Sequence, residues 1–286
     1  MTLNRVMVCG AGLMGHGIAQ VVAAAGREVL LYEPDRARAE AGRERIAGNL
    51  ERSVAKGRLS AEDRDRQLER VSVAEGLEAA SGVDLVIEAV FEDLEVKEAL
   101  WRELDGMAPP RAIFASNTSS ISITRLATST SAERRARFVG MHFFSPVPVM
   151  PIVELIRGSE TDDPTEAAVR SLCADMGKQV IAARDRPGFI VNRILMPFLG
   201  ESMRAYEEGL GTAEDIDAGA KLGLSHPMGP LELADFIGLD VCLHVMEVLH
   251  DGFGAPHFAP PPILRQLVDA GHLGQKTGKG FYAYPR

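Results

Sequence analysis

Residues Arg5 to Arg27 constrain this chain more than any other stretch. An apolar run, Val6-Met7-Val8-Cys9, passes without a spacer into Gly10-Ala11-Gly12-Leu13-Met14-Gly15, then into an amphipathic segment that stops at Gly26. Strand, tight glycine turn and helix in that order are the sequence form of a dinucleotide-binding crossover. Each glycine answers a separate demand. Gly10 permits the sharp turn, Gly12 lets backbone approach a pyrophosphate, and Gly15 lets helix and strand pack closely. The amide groups of the turn and the positive end of the helix then favour a phosphate.

A glycine-rich turn alone is common, and its context narrows it. A second apolar strand, Glu28 to Tyr32, follows and ends at Glu33. A carboxylate there can accept hydrogen bonds from ribose hydroxyls and repels a 2′-phosphate, which favours NAD over NADP. The plainer alternative for Glu33 is a solvated residue opening a loop.

The chain of 286 residues has room for one large domain or two ordinary ones. A formal charge of −9 argues against nucleic acid or anionic membrane as partners. Cys9, Cys173 and Cys242 show no metal spacing and cannot all pair, so reduced thiols in a cytoplasmic protein without a metal site are expected. There is no apolar stretch of about 18 residues, so no membrane span is expected.

Short apolar runs alternate with helical patterns up to about residue 184, which predicts a Rossmann-type, doubly wound, mostly parallel sheet. Strands are expected at 5–9, 28–32, 71–73, 83–88, 112–115, 138–143, 152–157 and 179–182. A long charged helix over about 35–56 starts on Asp35 and ends at Gly57, Ser60 opens the next, and another spans 162–177. After Asp185-Arg186-Pro187-Gly188 the pattern becomes helical, near 188–208, 213–222, 230–237, 239–250 and 261–270, and alternation returns only at Gly280-Phe281-Tyr282. The expected organisation is therefore a nucleotide-binding domain over 1–184 and a smaller all-helical domain over 185–286. The apolar content of the second part, such as Ile194, Leu195, Phe198, Leu199, Met203 and Tyr206, points to a homodimer face or to intrachain core.

Val139-Gly140-Met141-His142-Phe143-Phe144 sets an imidazole among large apolar groups. Ser145 to Pro151 holds three prolines and cannot be a central strand. The chain re-enters as Ile152-Val153-Glu154-Leu155-Ile156, where one carboxylate interrupts a buried type of strand. An ionised carboxylate buried without a partner is costly, so Glu154 needs one, and His142 across the proline-rich reversal is the natural candidate. Such a pair fixes the tautomer of the ring and stabilises the imidazolium, leaving the other nitrogen to act as a base. Oxidation of an alcohol by NAD needs that base. Taken alone, His142 reads as a satisfied core histidine; Glu154 and the cofactor signature reverse that preference.

Ser116 to Ser120 follow the strand ending at Ala115, at the carboxyl edge where open parallel sheets bind ligands. A hydroxyl there can bond a substrate oxygen, although most of these residues read as a turn before a helix near Ser122. Asn192 shares a helical face with Met196 and Leu199 and is either packing glue or a polar contact. Glu92, after the strand ending at Glu88, is placed in a loop beside the nicotinamide half. Its spacing of five from Lys97 is not that of helix-face neighbours. Residues 36–70 carry ten Arg or Lys against seven acids, a solvated helix in which Arg52, Lys56 and Arg58 can serve an anionic substrate tail.

Together these segments resemble the 3-hydroxyacyl-CoA dehydrogenase family, especially its short 3-hydroxybutyryl-CoA dehydrogenase members. The resemblance rests on GAGLMGHGIAQ (10–20), IEAVFEDLEVK (87–97), ASNTSSISIT (115–124), GMHFFSPVPVMPIVELI (140–156), PGFIVNRIL (187–195), HPMGPLELADFIGLD (226–240) and KTGKGFY (276–282). It implies reversible NAD-linked oxidation of L-3-hydroxyacyl-CoA to 3-oxoacyl-CoA, with His142 as general base and Glu154 as its orienting partner. It also implies that Ser119 binds the reacting oxygen, that Asn192 helps hold the thioester end, and that Glu33, Glu92, Lys97, Ser119, Ser145 and Lys276 contact the cofactor beside residues 10–15. Asn49 and Lys56 fall near positions that touch the CoA moiety, and the family is dimeric through its helical domain. Many relatives carry Asn where this chain has Ser145, a departure that bears on the nicotinamide-side contact and not on the base. The rival expectations are a dehydrogenase of free hydroxy acids or sugar acids, and a non-catalytic nucleotide-binding protein of the same fold.

Overall fold

A computed structural model describes residues 2–285 and divides the chain into two compact units, one ending at Arg186 and the other beginning at Pro187. The first unit is built on one sheet of eight strands: β1 (Arg5–Cys9), β2 (Glu28–Tyr32), β3 (Val71–Val73), β4 (Leu85–Glu88), β5 (Ile113–Ser116), β6 (Phe138–Phe143), β7 (Ile152–Arg157) and β8 (Gln179–Arg184). Their order is β3-β2-β1-β4-β5-β6-β7-β8. All neighbours are parallel except β6 and β7. The order reverses between β1 and β4, the switch point at which an open parallel sheet leaves a crevice at its carboxyl edge.

Helices α1 (Leu13–Ala24), α2 (Arg36–Ala55), α3 (Ala61–Glu69), α4 (Leu94–Met107), α5 (Ile123–Ala127), α6 (Ala132–Arg135) and α7 (Asp163–Asp175) fill the connections. Their starts follow from capping chemistry. Asp35, Ser60, Asp93, Ser122 and Asp162 each accept an amide of the helix they precede. Central strands buried on both faces need near-continuous apolar runs, as in Val6-Met7-Val8-Cys9 and Leu85-Val86-Ile87, all inaccessible to solvent. Trp101 of α4 stacks on Phe114 of β5 and meets Phe138 of β6 edge-on, both with ring centroids 4.9 Å away.

The second unit is helical: α8 (Val191–Glu207), α9 (Ala213–Ala218), α10 (Pro230–Ile237), α11 (Leu239–Phe253) and α12 (Pro262–Asp269). Its core includes Met196, Leu199, Met203, Leu231, Leu239, Met246, Leu249 and Leu264. The strand anticipated at Gly280–Tyr282 is not formed; Lys279 makes single bridges to Gly274 and Ala283. The reason is a buried carboxylate. Asp235 accepts the amides of Phe281 and Tyr282, which a ladder would otherwise need.

Close packing of the first turn is testable. A Cβ on Gly15 would stand 1.8 Å from the carbonyl oxygen of Gly10, a backbone atom that cannot swing aside. Gly15→Ala is expected to lower the unfolding free energy by about 1–3 kcal/mol, the usual cost of overpacking. An unchanged urea midpoint would contradict this packing.

Candidate active site

The turn between β1 and α1 is strained into place. Gly10 has φ +103°, and a Cβ there would meet the carbonyl oxygen of Ala89 at 2.4 Å. Gly12 is different. Its backbone is extended, and a Cβ on it would meet no protein atom within 4 Å. Packing within the chain therefore does not demand glycine at 12, whereas close approach of a bulky anion would. No side chain caps α1 at Gly12, so its first amides are left for such a group. Glu33 lies beside this turn, with Oε2 accepting the amide of Ala11 at 3.0 Å. Residues 10–15 thus fit a dinucleotide, and Glu33 stands beside them.

At the same edge, β6 and β7 run antiparallel with His142 directly opposite Glu154. Directly opposed residues point to the same face of a sheet, so register alone brings the two side chains together. His142 Nδ1 and Glu154 Oε2 are 2.7 Å apart. Glu154 has no solvent exposure and His142 has 6%. An ionised carboxylate can only accept, so opposite one, Nδ1 is the nitrogen that carries the proton of a neutral ring.

A second buried network supports the neighbouring loops. Glu88 ends β4 with its carboxylate fully buried, taking Lys97 and the amide of Val90 on one oxygen and Ser116 on the other. Lys97 also reaches Glu92 at 3.2 Å. The spacing argument against that pair fails because Glu92 lies before α4, whose N-cap is Asp93, so helical periodicity does not apply between them. Burial alone would depress the pKa of Lys97, but Glu88 and Glu92 outweigh it and the value is raised. The ammonium is 1% exposed and committed to two carboxylates, which makes Lys97 a residue that positions Glu92.

Glu92 in turn gathers the segment after β5. Its Oε1 accepts from the hydroxyls of Thr118, Ser119 and Ser120 and from the amides of Ser119 and Ser120. Burial would raise its pKa, yet Lys97 and these donors reverse the sign and hold it down at about 2. Two contributors were not singled out in the sequence. Asn117 donates its amide to the carbonyl of Glu88 and accepts the amide of Phe143 at 2.9 Å, stitching the ends of β4, β5 and β6 together beside His142. Glu88 carried the same signal as Glu154, one acid in an apolar strand, and needed a partner for the same reason.

Of the other expected residues, Ser145 is exposed in the loop after β6. Asn49 of α2 donates to Gln20 of α1 at 3.0 Å and lines a surface hollow of about 480 Å³ with His16, Arg45 and Arg52. Lys56 is exposed at the end of α2. Asn192 and Lys276 belong to the second unit, Asn192 in the first turn of α8 and Lys276 paired with Asp240. Among the described residues no group of His, Cys, Asp and Glu is arranged to hold a metal ion, and no helix is long and apolar enough to cross a membrane.

Residues 5–186 match the NAD binding domain of 3-hydroxyacyl-CoA dehydrogenase, and residues 188–284 match its C-terminal domain. The chain belongs to the 3-hydroxyacyl-CoA dehydrogenase family. It is an NAD-dependent oxidoreductase. Within the family it is 50% identical over 282 residues to a 3-hydroxybutyryl-CoA dehydrogenase of Bradyrhizobium diazoefficiens, covering 99% of this chain and 96% of that protein. Its fold is similar to the crystal structure of (S)-3-hydroxybutyryl-CoA dehydrogenase PaaH1 from Ralstonia eutropha (TM-score 0.96) at 45% identity, with both chains covered in full. The crystal structure of FadB2 from Mycobacterium tuberculosis is similar at TM-score 0.97 and 45% identity, again over the whole of both chains.

For this dehydrogenase, Gly12→Ala is expected to leave the urea midpoint unchanged and to weaken NADH binding about tenfold or more, since its methyl group meets only what approaches from outside the chain. Equal NADH affinity, measured by fluorescence titration, would contradict the role given to Gly12. The depressed pKa of Glu92 has its own consequence. A folded value below the ordinary one contributes stability above about pH 5 that is lost as pH falls toward about 2. The stability difference between the unaltered protein and Glu92→Gln should therefore shrink as the solution is acidified through that window. A difference independent of pH would contradict the ionised state of Glu92.

Proposed function

We propose that this chain interconverts short-chain L-3-hydroxyacyl-CoA, foremost 3-hydroxybutyryl-CoA, and the corresponding 3-oxoacyl-CoA, with His142 as the general base. The observation that carries the reading is the buried Nδ1–Oε2 contact of 2.7 Å between His142 and Glu154. In the oxidising direction Nε2 of His142 takes the proton of the 3-hydroxyl, and Glu154 stabilises the imidazolium so formed. NAD, when bound, accepts the hydride from C3. In reduction the imidazolium returns the proton to the developing alkoxide. Ser119 holds the reacting oxygen, and Glu92, bound to the Ser119 amide and hydroxyl, keeps that serine in place. Asn192 helps hold the thioester end.

Glu33, Glu92, Ser145 and Lys276 contact the cofactor in this reading, and Lys97 acts on it through Glu92. The substrate class is supported by the activity named for relatives up to 50% identical. Asn49 and Lys56 serve the CoA moiety; Arg45 and Arg52, which line one hollow with His16, Glu44 and Asn49, supply positive charge for its phosphate groups. Exposed apolar side chains in the second unit, among them Ile194, Leu210, Leu222 and Phe236, support a homodimer formed through that unit. A cytoplasmic location is part of this reading.

Purified protein should oxidise NADH with acetoacetyl-CoA and not with free acetoacetate. His142→Gln should lower kcat by about two to four orders of magnitude, the scale of a lost acid–base group. Near-normal turnover by that variant would remove His142 from its role.

A further inference from the structure

Lys178 is 7% exposed and lies between α7 and β8. Its ammonium donates to two main-chain carbonyls, those of Val147 and Met150, each at 2.6 Å. Among the described residues no carboxylate forms an ion pair with it, and burial depresses its pKa from the ordinary lysine value. A buried cation without an anion is an expensive way to fill space; an apolar side chain would fill it without the desolvation cost. The two carbonyls explain its presence. Both belong to residues 144–151, the linker that joins the strand of His142 to the strand of Glu154.

That linker has little means of holding itself. Pro146, Pro148 and Pro151 donate no hydrogen bond. Its internal contacts are the amides of Val149 and Met150 on the carbonyl of Pro146, and Gln179, next to Lys178, donates to Pro151. Val147 also lies against α1, close enough that a Cβ on Gly17 would meet its Cβ at 2.9 Å. The linker is therefore held both by packing on α1 and by the ammonium of Lys178.

We propose that Lys178 is a positioning residue for catalysis, tying down the proline-rich linker so that His142 and Glu154 keep their productive alignment. This rests on the reading of His142 as general base. A small misplacement of a catalytic pair costs rate far more than it costs binding, so the effect belongs in kcat.

The test uses the full-length protein with NADH and acetoacetyl-CoA, and kcat is expressed per NADH site titrated by fluorescence. Lys178→Met is expected to lower kcat per site by about 10–100-fold while the Kd for NADH changes by less than about threefold. Lys178→Arg, which can still donate to both carbonyls, should recover part of that loss. A purely structural lysine would reduce the number of NADH sites and leave turnover per site unchanged. Turnover per site within about twofold of the unaltered protein therefore overturns the proposal. Where Lys178→Met gives no NADH sites, Lys178→Gln is read by the same criterion, a lowered kcat per site supporting the proposal and an unaltered one overturning it. His142→Gln run alongside separates the two claims. Normal turnover there overturns the general base and the positioning role with it; loss there beside a normal Lys178→Met overturns only the latter.

Discussion

One antiparallel pairing in an otherwise parallel sheet brings His142 and Glu154 together, and the proposed chemistry depends on it. Had β7 paired with β6 one residue out of register, Glu154 would face the other side of the sheet and His142 would have lost its acid. In place, the carboxylate sits where no water reaches it and has an imidazole against it. Removing the imidazole would take a hydrogen-bond donor from a buried carboxylate, a change that costs about 1–3 kcal/mol. The arrangement is thus a constraint on folding as well as on the proposed reaction, and it ties β6 to β7 across the linker.

The same physics recurs at the centre of the sheet. Glu88, Lys97 and the half-buried Glu92 form a series of alternating charge, and Val90, Ser116, Thr118, Ser119 and Ser120 supply further donors. The network joins the end of β4 to the loop after β5. Asn117 extends the link to Phe143, next to His142. The carboxyl ends of β4, β5 and β6 are thereby held as one surface, and β1 joins through the amide of Ala89 on the carbonyl of Cys9. The structure brings the glycine turn, Glu92, Ser119 and His142 to a single edge by main-chain and buried polar contacts, not by surface ion pairs.

Much of this was legible in the residues and some was not. Strands, caps and the glycine turn were readable because each depends on local chemistry: Asp35 and Ser60 cap the helices they precede, and apolar runs mark strands buried on two faces. The cost of burying Glu154 pointed to His142 without a contact map. The same reasoning applied to Glu88 would have led to Lys97. The Glu92–Lys97 pair is hidden because helical spacing does not hold across the start of α4. Asn117 and Lys178 left no signal, since their partners are main-chain groups of distant segments that carry no residue identity. Asp235 likewise replaced an expected terminal strand by taking its amides.

The most direct measurement is a crystal structure with NAD and acetoacetyl-CoA bound together. The account predicts His142 Nε2 within hydrogen-bonding distance of the 3-oxygen, with Nδ1 still on Glu154. A 3-oxygen bound elsewhere, with His142 turned from it, would contradict the account.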